Sequence, residues 1–313
     1  MKCLAATALL GVACVRSAPL SEDESGVALG LFASDVRYDY GPLLDEIDAL
    51  GADDLLVAVP WAVPDVNSAS VRSQVPHDAV RRTLRQARSR GLRTTVMPIV
   101  VLESRGEGEW RGTLDPREPS RFWTNYGVLL QQLARDAAFV DAERLVVGSE
   151  LCALERQEAA WRAQIADVRA VFDGRVTYSA NWDHYRSVPF WDAVDEVGTT
   201  AYFPVDDHPA EQWRRALDAK RDFAEAVGKP FIITEYGYPS IASAAERPWD
   251  ETTGAAEDLA LQAELYQTAL DAMDAAAIDA RFAWTWFGTG AAGVGEFSPR
   301  GRPAATVLAQ HFT

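Results

Sequence analysis

The chain has 313 residues, 48% of them hydrophobic, and a formal net charge of -16 at pH 7. That length and apolar content suffice for one large α/β domain with a packed core, so disorder is not the default reading. The acidic excess argues against nucleic acid, whose phosphates would be repelled, and fits a neutral or cationic substrate or an ordinary solvated surface.

Lys2 precedes an apolar run over residues 4–13, which has the length of a signal-peptide core and is too short to cross a bilayer. Leu10-Gly11-Val12-Ala13-Cys14 resembles a bacterial lipobox, which implies lipidation of Cys14, although Gly11 stands where such boxes more often carry Leu. Simple secretion after cleavage at Ala13 is the alternative. The expected organisation is a leader over 1–13, a polar tether over 14–25 and a single domain over 26–313. The protein would be exported to the periplasm or cell surface, touching the membrane only through the lipid. With the leader gone, at most Cys14 and Cys152 remain, so no disulfide framework is expected. Three Cys and four His without ligand spacing give no expectation of a metal or other cofactor. Nothing in the sequence suggests an oligomer, and a monomer is expected.

Residues 26–31 read as a short apolar strand. Leu43, Leu44, Ile47 and Leu50 set a helical spacing over 42–50, which Gly51 stops. A second strand, 55–59, runs into Pro60-Trp61. A basic helix over 78–90, with Val80, Leu84 and Ala87 on one face, ends at Gly91 before a third strand over 94–101. Residues 103–118 form a long polar loop containing Trp110, and loops of that kind are usually functional or disordered. The helix over 120–137 carries Phe122, Tyr126, Leu129, Leu130 and Leu133 three and four apart. A fourth strand, 144–148, delivers Ser149-Glu150. A helix over 159–172 leads to a fifth strand, 176–180, ending in Asn181-Trp182. The sixth, 194–202, ends in Tyr202-Phe203-Pro204, and a helix follows over 210–227. The seventh, 231–234, is a β-branched run that stops on Glu235. A helix over 257–276, an eighth strand over 282–286 and a last helix over 303–310 close the chain.

Eight strands alternating with helices, with no linker after residue 26, predict a parallel sheet closed as a single (β/α)₈ barrel. A doubly wound open sheet is the alternative, against which no Gly-x-Gly-x-x-Gly turn follows the first strand. In a barrel the strand ends converge on one face. They bring two carboxylates, Glu150 and Glu235, together with Trp61, Asn181, Trp182, Tyr202, Trp284 and Trp286. Two carboxylates across a cleft are what glycosidic-bond cleavage requires, one to protonate the leaving oxygen and one to attack the anomeric carbon. Tyr202 is placed to donate to Glu235, Asn181 to hold a sugar hydroxyl, and the indoles to floor a sugar ring. The ten Trp suit that purpose, since an indole N–H needs a partner wherever it is buried. Each Glu taken alone is as readily a solvated strand end; their joint placement after strands four and seven carries the reading.

Those positions resemble a known group, the retaining glycoside hydrolases built on (β/α)₈ barrels. Within it the chain is most similar to glycoside hydrolase family 113, known for β-mannanases. The resemblance rests on Trp110-Arg111-Gly112, Trp123 and Tyr126, Gly148-Ser149-Glu150-Leu151, Asn181-Trp182, Ala201-Tyr202-Phe203-Pro204 and Ile233-Thr234-Glu235-Tyr236-Gly237-Tyr238. It implies Glu150 as general acid/base and Glu235 as nucleophile. Ser149 stands where many relatives carry Asn, and the third strand ends in Met97-Pro98-Ile99-Val100 without a polar residue; both bear on mannan specificity. A non-catalytic carbohydrate-binding barrel and a transglycosylase remodelling envelope polysaccharide are the rival readings.

Overall fold

The computed structural model describes residues 24–251, 254–287 and 296–312. The expected leader and Cys14 lie outside the described residues. The first strand, β1, spans Glu24–Gly30. Glu24 and Ser25, read from the sequence as the end of a tether, are therefore strand residues.

β2 (Asp54–Val63), β4 (Arg93–Leu102), β5 (Arg144–Ser149), β6 (Arg175–Ala180), β7 (Glu196–Thr200), β8 (Phe231–Tyr236) and β9 (Ala280–Trp286) follow one another around the sheet, all parallel. β1 pairs with both β9 and β2, and this closes the barrel. The two-residue β3 (Arg72–Ser73) adds antiparallel to the end of β2 through Trp61 and Ala62. The connecting helices are α1 (Gly41–Ala49), α2 (His77–Ser89), α3 (Pro119–Ala138), the single turn α4 (Cys152–Glu155), α5 (Glu158–Arg169), α6 (Pro209–Ala226), α7 (Leu259–Ala276) and α8 (Pro303–Phe312). Each long helix turns one apolar stripe to the sheet, as Val80, Leu84 and Ala87 do on α2.

Strand alternation sorts the buried residues into two sets. Ala28, Leu56, Ala58, Met97, Ile99, Val146, Ile232 and Phe282 fill the barrel. Their strand neighbours, such as Leu55, Val57, Val59 and Leu145, pack outward against the helices. Six strands open on an inward-facing charge: Glu24, Asp54, Arg93, Arg144, Arg175 and Glu196. Arg144 Nε donates to Glu196 Oε2 at 2.6 Å and its Nη2 to Glu24 Oε2 at 2.8 Å. Arg175 pairs with both Glu24 and Glu196, and Arg93 with Asp54. An ion network thus plugs the amino-terminal end, an apolar layer fills the middle, and the carboxyl-terminal mouth is left for chemistry.

Candidate active site

Glu235 reaches the mouth because β8 carries an extra residue. Thr199 pairs with Ile233, but Thr200 pairs with Glu235. In a regular strand Glu235 would share the outward face of Ile233; one inserted residue reverses the alternation and turns it inward. β5 is irregular between Val146 and Ser149, which brings Ser149 inward, its Oγ donating to Glu235 Oε1 at 2.9 Å. Glu150 then adopts φ +54°, a left-handed conformation that costs a non-glycine residue roughly 1–2 kcal/mol. That turn carries its carboxylate over the same mouth.

Each carboxylate has its own donors. Arg111 Nη2 donates to Glu150 Oε2 at 2.6 Å, and Thr200 Oγ1 to Glu150 Oε1 at 2.8 Å. Tyr202 OH donates to Glu235 Oε2 at 3.1 Å. Beneath them, Ser179 and Thr234 share a hydrogen bond of 2.6 Å. Glu150 is 4% exposed and Glu235 1%, so neither charge is relieved by bulk water. Burial pushes the Glu235 carboxyl up to about 7, the charge of Glu150 adds to this, and Arg111, Ser149 and Tyr202 pull the other way. Burial and the two carboxylates raise the Tyr202 phenol well above its ordinary range, so it stays a neutral donor. Burial would lower Arg111, but Glu150 and Glu235 more than offset that and keep it charged.

Arg111 was named from the sequence only as part of a motif. It comes from the 103–118 loop, on a short 3₁₀ turn over Arg111–Thr113. A Cβ on Gly112 would lie 2.3 Å from the Trp110 ring, so only glycine lets that half-buried indole fold back over its own loop.

The remaining expected residues divide. Trp182, half-buried, lies parallel to the exposed Trp249, with ring centroids 6.2 Å apart and planes at 18°. Asn181 is engaged locally, donating to Asp183 Oδ1 at 2.9 Å. Trp284, itself partly buried, packs against the barrel filling, its ring edge-on to Phe32. Two indoles lie elsewhere than expected. Trp61 has the parity of Leu55, Val57 and Val59 in a strand whose register with β4 is unbroken, so it faces the helices, 1% exposed and edge-on to Tyr126. Trp286 would share the inward face of Phe282 and Trp284, but β9 holds an extra residue where Val27 pairs with Ala283 and Leu29 with Trp286. It therefore turns outward, 3% exposed, and its Nε1 donates to Glu46 Oε2 of α1 at 3.0 Å. Neither ring is open to a sugar.

No metal site is expected from the sequence, yet Cys152, Glu155 and His184 come together beside Glu150, with ligand atoms all within 4.8 Å of one another. The Cys152–Glu155 spacing of three on one helical turn was visible; His184 joins them only through the fold.

A (β/α)₈ barrel with paired, buried carboxylates at its carboxyl-terminal mouth defines the class of barrel glycoside hydrolases. The model of Glycoside Hydrolase Family 113 matches residues 58–289, and the chain belongs to that family. It is accordingly a retaining β-glycoside hydrolase. The solved structure of a GH113 β-1,4-mannanase superposes with TM-score 0.84 at 25% identity, over 93% of this chain and 99% of that one. The GH113 β-mannanase AaManA from Alicyclobacillus acidocaldarius, in complex with ManMIm, gives TM-score 0.82 at 26% identity over 92% and 96%. A GH5_18 protein from Bifidobacterium longum shares the fold at TM-score 0.62 and 16% identity, over 92% of this chain and 78% of that one. No curated protein matches the chain.

Proposed function

We propose that the protein hydrolyses β-mannan-type polysaccharides by double displacement, with Glu150 as general acid/base and Glu235 as nucleophile. The observation that carries this is the pair itself: two buried carboxylates at one mouth, each held by separate donors, close enough that the charge of one raises the proton affinity of the other. In the first step Glu150 protonates the leaving oxygen while Glu235 bonds to the anomeric carbon. In the second, Glu150 takes a proton from water, which releases the sugar with retention.

Attack needs Glu235 ionised, whereas burial lets it keep a proton up to about pH 7. The hydroxyls of Ser149 and Tyr202 then steady the Glu235 carboxylate. Trp182, Trp249 and Trp284 supply the accessible or half-accessible ring surface for sugar stacking, and Trp110 lies beside Arg111 in the same loop.

Mannan as substrate is supported by family membership and by the mannanases the chain resembles. The test is a screen of purified protein against mannan, glucomannan, cellulose, xylan and galactan, scored by reducing ends. Reducing ends from mannan or glucomannan are expected; activity confined to another polymer would overturn the substrate while leaving the carboxylate pair intact. Lipidation at Cys14 belongs to the same reading, a polysaccharide hydrolase tethered outside the cell; a Cys14→Ser variant should lose palmitate labelling and be released from membranes.

A further inference from the structure

We propose that Cys152, Glu155 and His184 form a binding site for one zinc-class divalent cation, next to the turn that carries Glu150. Cys152 and Glu155 sit three apart on α4 and so share one side of that turn. His184 arrives from the loop after β6. The three ligand atoms lie within 4.8 Å of one another, and around a tetrahedral zinc ion with bonds of 2.0–2.3 Å they would stand about 3.5 Å apart. A movement of about 1 Å closes that gap, and His184, with its side chain 44% exposed, is free to make it.

The donor set is a thiol, an imidazole and a carboxylate, which selects zinc or cobalt over the oxygen-seeking calcium and magnesium. Glu155 is already held as a ligand carboxylate would be. It is 2% exposed; its Oε1 accepts from Tyr178 OH at 2.9 Å, and its Oε2 faces His184 Nδ1 at 3.2 Å. The Tyr178 hydrogen bond is of the kind that orients the ligands of metal sites. The thiol lies against the acid/base turn itself: Cys152 Sγ donates to the Glu150 carbonyl at 3.7 Å, and the guanidinium groups of Arg111 and Arg156 are engaged by Glu150 and Asp115. On binding, the S–H bond breaks, its proton leaves to solvent and a sulfur–metal bond forms; no electrons are transferred, and a fourth position stays open to water.

The site is mechanically joined to the acid/base. Tyr178 OH, which donates to Glu155, also accepts the backbone N–H of Leu151 at 2.9 Å, the residue after Glu150. An ion that fixes Glu155 therefore fixes the turn that aims Glu150.

The test is titration of the full chain with Co²⁺, followed by Zn²⁺. The expected result is one equivalent of cobalt with thiolate-to-cobalt absorption in the near ultraviolet, displaced by one equivalent of Zn²⁺. Cys152→Ser should abolish the band, and His184→Ala, at a half-exposed position that the fold tolerates, should weaken affinity by about tenfold or more. No thiolate band in the native chain, or binding unchanged in His184→Ala, would overturn the proposal. A band that persists in Cys152→Ser would assign it to another thiol and do the same. Should Cys152→Ser fail to fold, His184→Ala decides.

Discussion

At the amino-terminal end of the barrel three inward carboxylates, Glu24, Asp54 and Glu196, meet three guanidinium groups, Arg93, Arg144 and Arg175. At the carboxyl-terminal mouth two carboxylates, Glu150 and Glu235, share Arg111. Both clusters are buried, but only the first is balanced. Burial pushes Glu24 up, yet Arg144 and Arg175 more than offset it and hold its carboxyl below the usual value. At the mouth burial and like charge prevail, and Glu235 rises. Balanced charge serves the fold; at the unbalanced mouth like charge and burial disfavour ionising both carboxylates at once, so that one can hold a proton while the other is anionic.

The largest effect should come from breaking the unbalanced end. Glu235→Ala should lower turnover by about 10⁴-fold or more, with partial rescue by azide filling the vacated space. Undiminished activity would remove Glu235 from the mechanism. Breaking the balanced end should do the opposite. Arg144→Met leaves the buried Glu24 and Glu196 with Arg175 alone and should cost about 3–5 kcal/mol of stability in urea denaturation, while kcat of the folded fraction stays near that of the native protein. A loss of kcat without loss of stability would mean that the lower network reaches the site.

Glu235 and Glu24 should also differ in the sign of their pH dependence. Glu235 has a folded value of about 7 against an ordinary 4.5. The folded state therefore holds a proton that the unfolded state has lost, and stability falls as pH rises from about 4.5 to about 7. Glu235→Gln should remove this slope and gain roughly 2–3 kcal/mol at pH 8, with little gain at pH 4. Glu24, lowered by its arginines, contributes stability above its ordinary value that is lost as pH falls through its folded value. Melting curves at several pH values separate the two. The smallest effect is a shift rather than a loss. With an activated aryl glycoside that needs no acid, Glu150→Gln should move the acid limb of kcat/KM below that of the native enzyme, because the charge of Glu150 helps to raise Glu235. An unmoved limb would mean that the two carboxylates do not sense each other.

Much of this was legible in order of residues. The eight strands, the helices between them and the two glutamates at strand ends follow from hydrophobic runs and their stops. What escaped is where alternation breaks. Trp61 could have been placed by parity with Leu55 and Val57, since β2 is regular. Trp286 and Glu235 could not, because one extra residue in β9 and another in β8 reverse their facing, and no local residue choice announces either bulge. The charged residues that open six strands were visible one by one, but their pairing depends on closure, as does the meeting of Arg111 with Glu150 across 39 positions. His184 reaches Glu155 for the same reason.

The most direct test is to trap the covalent intermediate. The protein is incubated with a 2-deoxy-2-fluoro β-glycoside bearing an activated leaving group, digested, and its peptides weighed by mass spectrometry. Double displacement on Glu235 predicts one added glycosyl unit on the peptide containing that residue, and none in Glu235→Gln. A glycosyl unit on any other side chain, or turnover of an activated substrate with inversion and no adduct, would contradict it.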